Sequence, residues 1–242
     1  MNSEEVYIAE AFKNKGIGLT EEQVKQFYNY YSTLVEWNEK MNLTAITDFK
    51  DVVDKHFVDS CAPLFKDGPG IKENATLVDV GTGAGFPGLP LKIVRPDLKV
   101  TLIDSLNKRI TFLNELIFNI LKLTDINVYH LRAEEAGRNV NYREKFDYVV
   151  SRAVANLQTL SEYDIPFLKT GGIFIAYKMI SETDNELTAA KAFSILNSKL
   201  SLKFKYKIEG SNDLRILYYI SKKGNISNKY PRAGGKPSSK PL

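Results

Sequence analysis

Leu77-Val78-Asp79-Val80-Gly81-Thr82-Gly83-Ala84-Gly85-Phe86-Pro87-Gly88 is the stretch whose reading decides the fold. Apolar residues flank one acid, and glycine then recurs at every second position. The short, continuous, β-branched run from Ala75 to Val80 suits a strand buried on both faces. The glycines end it, because they permit positive φ and let a ligand approach the backbone with no Cβ in the way. Pro87 suits the first turn of a helix, where its missing N–H has no partner to lose. Leu89, Leu91, Ile93 and Val94 supply the apolar side of a short helix. Strand, glycine loop and helix N-terminus open a nucleotide-type α/β fold.

Two ligand readings compete at this loop. Gly83, Gly85 and Gly88 match the dinucleotide-binding GxGxxG on paper. Against that, Asp79 stands two residues before Gly81, and a pyrophosphate at a helix N-terminus wants amide donors and no carboxylate nearby. Asp79 followed by Gly81, Gly83 and Gly85 is similar to the first motif of class I methyltransferases, which bind S-adenosylmethionine. That ligand carries no phosphate, and an acid or carbonyls can meet its ammonium. A structural glycine turn is the third reading.

Downstream, Val100 to Ile103 is a second buried strand ending at Asp104. The distance from the glycine loop to Asp104 is that of the ribose-binding acid at the end of the second strand in a Rossmann-type unit. Asn107-Lys108-Arg109 opens a helix with Ile110, Phe112, Leu113, Leu116, Ile117 and Leu121 inward. Cations at its start oppose the macrodipole, so Lys108 and Arg109 either hold phosphate or simply face solvent. Ile126 to Leu131 is strand three, and Arg132-Ala133-Glu134-Glu135 follows it at the carboxyl edge. Ala133 and Glu134 are placed to read adenine, by N–H and carboxylate, unless the two acids merely start a helix. Tyr148 to Ser151 is strand four, ending at Arg152-Ala153. A helix carrying Leu157, Leu160, Tyr163 and Phe167 closes at Thr170-Gly171-Gly172. Ile173 to Tyr177 is strand five, ending at Lys178, and Thr183 to Leu196 is a further helix. Leu202 to Ile208 and Leu214 to Ile220, joined by Gly210-Ser211-Asn212, read as a hairpin. No internal repeat is visible.

Helical signals fill the first 70 residues. Thr20-Glu21-Glu22-Gln23 is a capping box, and Val24, Phe27, Tyr28, Tyr31, Leu34, Val35 and Trp37 recur behind it at helical spacing. Phe27, Tyr28 and Tyr31 suit packing better than base stacking, because their spacing is that of a buried helix face. A weaker helix spans Ser3 to Lys15, and a third covers about Asp51 to Phe65. His56 with Asp59-Ser60, and Trp37-Asn38 with Asn42-Leu43-Thr44, carry no chemistry by spacing alone. One carboxylate and the lone Cys61 beside His56 make no metal site.

With 242 residues, 43% of them hydrophobic and 26% charged, the chain can bury one large domain with a helical extension. No apolar run is long enough to span a bilayer, and the acidic, polar start is no signal peptide, so a cytoplasmic protein is expected. Cys61 alone permits no internal disulfide and fits a reducing compartment. The net charge of +4 is unevenly placed, since six of the 33 basic residues and none of the acids lie from Lys222 onward. Such a tail either binds a polyanion or solubilises the chain. The expected organisation is a helical extension over 1–70, a Rossmann-like domain over 71–223 and a basic tail over 224–242.

Absences narrow the reaction. Ser151-Arg152-Ala153-Val154 stands where amine methyltransferases commonly place Asn- or Asp-Pro-Pro-aromatic. Ring-carbon methylation of pyrimidines needs a cysteine nucleophile, and Cys61 lies far from strand four in the chain. An acceptor that is already nucleophilic when neutral, such as guanine N7, is compatible with what remains but is not singled out.

The matching strings cover nearly the whole chain. They are Trp37-Asn38 and Asn42-Leu43-Thr44, His56 with Asp59-Ser60, Asp79 to Pro90, and Leu102 to Ser105 with Lys108-Arg109 and Phe112-Leu113. Arg132-Ala133-Glu134, Ser151-Arg152-Ala153, Tyr230-Pro231-Arg232 and Pro241-Leu242 complete them. In these the chain resembles the small-subunit ribosomal RNA methyltransferase G family, also called glucose-inhibited division protein B. The resemblance implies a class I, S-adenosylmethionine-dependent methyltransferase with a mostly parallel seven-stranded sheet. It also implies methylation of N7 of a guanine in 16S ribosomal RNA, free or in an assembling small subunit. By motif position it implies cofactor contacts at Gly81, Phe86, Asp104, Ala133, Glu134 and Arg152. Thr82 stands where serine is frequent, and Met179 follows Lys178 where glycine is usual.

Residue by residue, Asp79 with the glycine loop, Gly81 and Gly83 included, is expected to hold the methionine part. Asp104 takes the ribose, and Arg152 bridges cofactor and RNA. Arg152 and Lys178 are the catalytic candidates. Arg95, Lys108, Arg109, Lys229, Arg232 and Lys236 are the expected RNA contacts. Neither a metal nor a membrane is expected, and the working unit is taken as a monomer. A class I methyltransferase acting on another RNA or on a small molecule shares every one of these cofactor residues. A nicotinamide oxidoreductase and a non-catalytic RNA-binding module are the readings from other classes.

Overall fold

The computed structural model describes residues 1–152, 155–181, 183–209 and 214–242. Five strands run parallel in the order β3 (Ile126–His130), β2 (Lys99–Asp104), β1 (Thr76–Val80), β4 (Phe146–Arg152) and β5 (Leu168–Met179). β7 (Leu214–Lys222) pairs antiparallel with both β5 and the edge strand β6 (Ser198–Lys207). This is the expected seven-stranded, mostly parallel sheet. The residues named for the hairpin loop, Gly210-Ser211-Asn212, lie outside the described residues, as do Ala153 and Val154.

Alternation along β1 sends Leu77 to one face and Val78 and Val80 to the other, so the sheet divides two apolar layers. On the first face lie α4 (Gly88–Val94) and α5 (Asn107–Asn114). The N-terminal helices α1 (Ser3–Lys13) and α2 (Glu21–Met41) join the same core, with Ile8, Phe12, Phe27, Tyr30 and Leu34 fully buried. α7 (Leu157–Asp164), α8 (Ala190–Ile195) and Tyr230 cover the other face. Both N-terminal helices start at a capping box, Asn2 with Glu5 and Thr20 with Gln23. In α2 the buried aromatics are Phe27 and Tyr30, while Tyr28 and Tyr31 stay at the core's margin.

Four local expectations need correction. The third helix starts earlier, as α3 (Phe49–Val52), then widens into i→i+5 turns over Val53–Val58 and ends in a tight turn at Ala62–Leu64. Pro87 caps α4 from outside its first turn. Thr170-Gly171-Gly172 does not close a helix. α7 ends at Asp164, and these residues lie inside β5 where its register with β4 slips between Phe146 and Tyr148, a bulge that Gly171 permits with φ +84. The helix expected from Thr183 shrinks to Ala190–Ile195. Ahead of it Ser181 Oγ accepts from the N–H of Thr183 and Asp184, and Asn185 Oδ1 from that of Leu187. Such local side-chain bonds compete with the helical ladder.

Candidate active site

Two cavities adjoin at the carboxyl ends of β1, β2 and β4, with α6 (Ala133–Ala136) opening beside them after β3. The first, about 280 Å³, is lined by Gly81, Asp104, Ala133, Glu134, Ser151 and Tyr163 among others. The second, about 390 Å³, is lined by Thr44, His56, Gly83, Phe86, Arg109 and Arg152 among others. Gly81, Asp104 and Ser105 belong to both. The crevice therefore lies where open α/β sheets place their ligands.

The glycine loop is bonded inward. Gly81 and Thr82 donate N–H to Ile103 O, Gly83 to Asp104 Oδ2 at 2.9 Å, and Gly85 and Phe86 to Thr82 O. Asp79 lies beneath the loop, fully buried, and its Oδ2 accepts from Thr82 Oγ1 and from Gly88 N–H, both at 2.8 Å. A carboxylate thus occupies the start of α4, where a dinucleotide-binding loop offers its amides to phosphate. That arrangement opposes the nicotinamide reading. Gly88 allows it, because a Cβ there would stand 2.8 Å from Asp79 Cβ and 2.6 Å from Leu102 Cδ2. Burial raises the Asp79 carboxyl to about 7, although the bonds from Thr82 and Gly88 pull the other way. Asp79 lines neither cavity, so the structure places it as the loop's anchor and not against a ligand's ammonium.

Asp104 is 2% exposed and sits at the junction of the cavities. Its Oδ1 accepts from Leu106 N–H at 2.9 Å, and Arg109 reaches its Oδ2 at 3.1 Å. With Gly83 N–H also on Oδ2 and Arg109 3.4 Å from Oδ1, the contacts match the about four acceptor sites of a carboxylate, so a ligand hydroxyl would displace the long Arg109 contacts. Ala133 and Glu134 form the first turn of α6, where N–H groups have no acceptor inside the helix.

Arg152 lies at the end of β4 with its guanidinium 5.0 Å from the centre of the Phe86 ring. It donates to Asp59 Oδ2 at 2.9 Å and to the carbonyls of Lys55 and His56. Phe86 is also stacked by His56 at 4.6 Å and by Tyr30 at 5.4 Å. Tyr30 donates its hydroxyl to Ala84 O, which fastens α2 to the glycine loop. Burial and the neighbouring Arg152 lower His56 to about 3, so its imidazole is neutral. With Arg152 against Nδ1, the proton belongs on Nε2, which stands 2.9 Å from Thr44 Oγ1. Lys178 is tied to Ala155 O at 2.8 Å and ion-paired with Asp184, and it shares a separate cavity with Arg152 and Asp59.

The expected RNA contacts are scattered. Arg95 is at the opposite, amino edge of the sheet, bound to Asp97 and to Ile71 O, because α4 carries the chain down there. Arg109 is in the crevice, paired with Asp104. Lys108 donates to Met41 O at the end of α2. Arg232 is bound to the fully buried Glu162 through Nε and Nη2, so its charge is already matched. Lys229, over the ring of Tyr230, and Lys236 are exposed. Cys61 is a buried free thiol in the core. Sequence reading passed over Thr44, Tyr30, Asp59 and Ser151. Thr44, Asp59 and Ser151 had a signal, their places in the strings Asn42-Leu43-Thr44, His56 with Asp59-Ser60, and Ser151-Arg152-Ala153, whereas Tyr30 had none.

S-adenosylmethionine fits this donor set. A buried carboxylate, held partly by long contacts from Arg109, lies between two adjoining cavities, one ending at Ala133–Glu134 and the other at the glycine loop and Arg152. Among the described residues no cluster of His, Cys, Asp and Glu suited to a metal ion is found, and no helix is long and apolar enough to cross a membrane.

Comparison with known proteins agrees with this geometry. The family model for rRNA small subunit methyltransferase G matches residues 23–214. Ribosomal RNA small subunit methyltransferase G of Lysinibacillus sphaericus is 48% identical over 233 residues, covering 96% of this chain and 97% of that protein. The protein of the same name from Streptococcus thermophilus is 47% identical over the full length of both chains. Among solved structures, P. horikoshii TYW2 in complex with MeSAdo superposes with TM-score 0.52 at 14% identity, covering 68% of this chain and 61% of its own. A 16S rRNA (adenine(1408)-N(1))-methyltransferase from Catenulisporales acidiphilia gives 0.51 at 11%, covering 63% and 87%. At these identities the two structures speak for the fold.

Proposed function

The chain belongs to the rRNA small subunit methyltransferase G family, and we infer that it methylates N7 of a guanine in 16S ribosomal RNA with S-adenosylmethionine. The observation that carries this reading is the pair of adjoining cavities that share Gly81 and Asp104 in their walls, one bounded by Ala133 and Glu134 and the other by Arg152 and Phe86.

When bound, S-adenosylmethionine supplies a methyl group on a positively charged sulfur. Ala133 N–H and Glu134 face the adenine, and Asp104 accepts from the ribose. Gly81 and Gly83 let the methionine part lie close to the backbone, over a loop that Asp79 holds in shape. Arg152, kept in place by Asp59, bridges cofactor and RNA. Guanine N7 has an in-plane lone pair and no proton to lose, so the reaction needs alignment and not a general base. Alignment alone contributes roughly 7–11 kcal/mol. A neutral His56, occupied by Arg152 and Thr44, accords with a site that moves no proton.

The test is mass-spectrometric mapping of methylated nucleosides in ribosomal RNA from cells with and without this protein. Loss of a single 7-methylguanosine from 16S rRNA in its absence is the expected result. An unchanged map, or loss of a mark elsewhere, overturns the assignment. In vitro methylation of naked 16S rRNA and of assembling subunits then separates the two substrates.

A further inference from the structure

We propose that the C-terminal segment, residues 229–242, is a strap that builds one wall of the adenosine cavity and serves the cofactor, not the RNA. This rests on the cofactor reading above. Its charge suggested a polyanion-binding tail, but its bonds run inward.

The strap is tied on both sides of the cavity. On the side of α6, Arg138 donates to Pro231 O at 2.6 Å and to Lys229 O at 3.1 Å, and Arg143 donates to Tyr230 O at 2.8 Å. Pro231 is buried against Gly137, where a Cβ would stand 3.1 Å from its ring. On the side of α7, Arg232 clasps Glu162, which is 0% exposed, with contacts of 2.7–3.1 Å. Thr159 Oγ1 donates to Pro237 O at 3.0 Å, and Tyr163 Oη meets Ser238 Oγ at 3.0 Å. Tyr230 and Pro237 are buried, and Leu242 packs against the core under α7.

Between these anchors the chain crosses the crevice. Gly235 and Ser238 line the same 280 Å³ cavity as Asp104, Ala133 and Glu134. The strap therefore fixes α6, which carries the adenine-facing pair, against α7, which forms the opposite wall. A ligand in this cavity stabilises the docked strap, and by linkage the docked strap tightens the ligand by the same factor. Lys229, Lys236 and Lys240 stay exposed, but Arg232, the segment's one arginine, is committed to a buried acid and not left free for a polyanion.

Hydrogen exchange on the full chain, with and without S-adenosylhomocysteine, gives the first readout. Exchange of the amides in 229–242 slows at least fivefold with the ligand if the strap walls its cavity, and unchanged exchange overturns the proposal. The second uses the full-length double variant Glu162→Gln/Arg232→Gln, which releases the clasp without stranding a buried charge. Its affinity for S-adenosylhomocysteine falls at least tenfold in calorimetry, and KM for the methyl donor rises more than kcat changes. Its affinity for 16S rRNA, and the salt dependence of that affinity, stay within twofold. The reverse pattern, cofactor affinity kept and RNA affinity lost, returns the segment to RNA binding and overturns the proposal. Should the double variant not fold, Ser238→Trp, at an exposed position on the cavity rim, reads the same affinities with the clasp intact. A wild-type protein that binds no S-adenosylhomocysteine overturns the underlying cofactor reading, an outcome separate from all of these.

Discussion

Arg152 and Asp59 meet at 2.9 Å, and this contact joins the end of β4 to the N-terminal helices. Asp59 is fully buried and also receives Tyr206 Oη at 2.8 Å and Arg215 at 3.2 Å, so two guanidinium groups share one carboxylate. Removing one partner of a buried pair strands the other charges and typically costs about 3–5 kcal/mol. Asp59→Ala should lose about that much in urea unfolding. A loss below about 1 kcal/mol would mean that water reaches the site and that the pair does not hold Arg152.

Gly88 is the position at which α4 touches Asp79. Its added Cβ would meet Leu102 Cδ2, Asp79 Cβ and Asp79 Oδ2 at 2.6, 2.8 and 2.9 Å. Overpacking of this kind costs roughly 1–3 kcal/mol. Gly88→Ala is expected to fall in that range and to weaken S-adenosylhomocysteine binding through the displaced loop. A variant as stable as the parent, with equal affinity, refutes the close-approach argument.

Asp79 and His56 pull the pH dependence of stability in opposite directions. The folded Asp79 carboxyl, at about 7, holds its proton where the unfolded one has lost it, so its contribution falls as pH rises from about 4 to about 7. The folded His56, at about 3, refuses a proton that the unfolded imidazole takes below about 6.5, so its contribution falls as pH drops through that window. Asp79→Asn should make the urea midpoint rise more with pH between pH 4 and 7 than in wild type, and His56→Gln should make it fall more with pH between pH 4 and 6. Slopes that match wild type in both variants would remove these two groups from the account.

Asp164 is fully buried at the end of α7, lines the first cavity, and has no hydrogen-bond partner for either oxygen among the described residues. Burial, helped by the charge of Asp79, pushes its carboxyl well above the usual range. Its contribution to stability is therefore lost as pH rises toward that raised value. Asp164→Asn should gain about 1–3 kcal/mol at pH 8 and close to nothing at pH 4. An equal gain at both values would point to packing and not to ionisation.

Asp104→Ala removes the acceptor shared by the two cavities, and with it the bonds from Gly83, Leu106 and Arg109. A charge-assisted hydrogen bond contributes about 1.5–3 kcal/mol, which is roughly a tenfold to hundredfold loss of S-adenosylhomocysteine affinity. Calorimetry that finds the affinity unchanged would take Asp104 out of the site.

The sequence by itself determined the layered α/β plan, because each element announces itself over a few residues. The apolar run ending at Val80, the alternate glycines after it, and the capping box at Thr20 need no distant partner to be read. The same holds for the acid at Asp104 and the Ala133–Glu134 pair, which strand ends deliver to one edge whatever packs around them. The tertiary structure alone decided what each charged side chain does. Arg95 lies at the amino edge, away from the crevice and paired with Asp97, and Arg232 is bound to Glu162, 70 positions away. Asp79 anchors the loop beneath its ligand face, and Asp59 reaches Arg152 across 93 positions. Periodicity and capping are local properties of a chain, whereas the partner of a charge is set by which distant segments the core brings together.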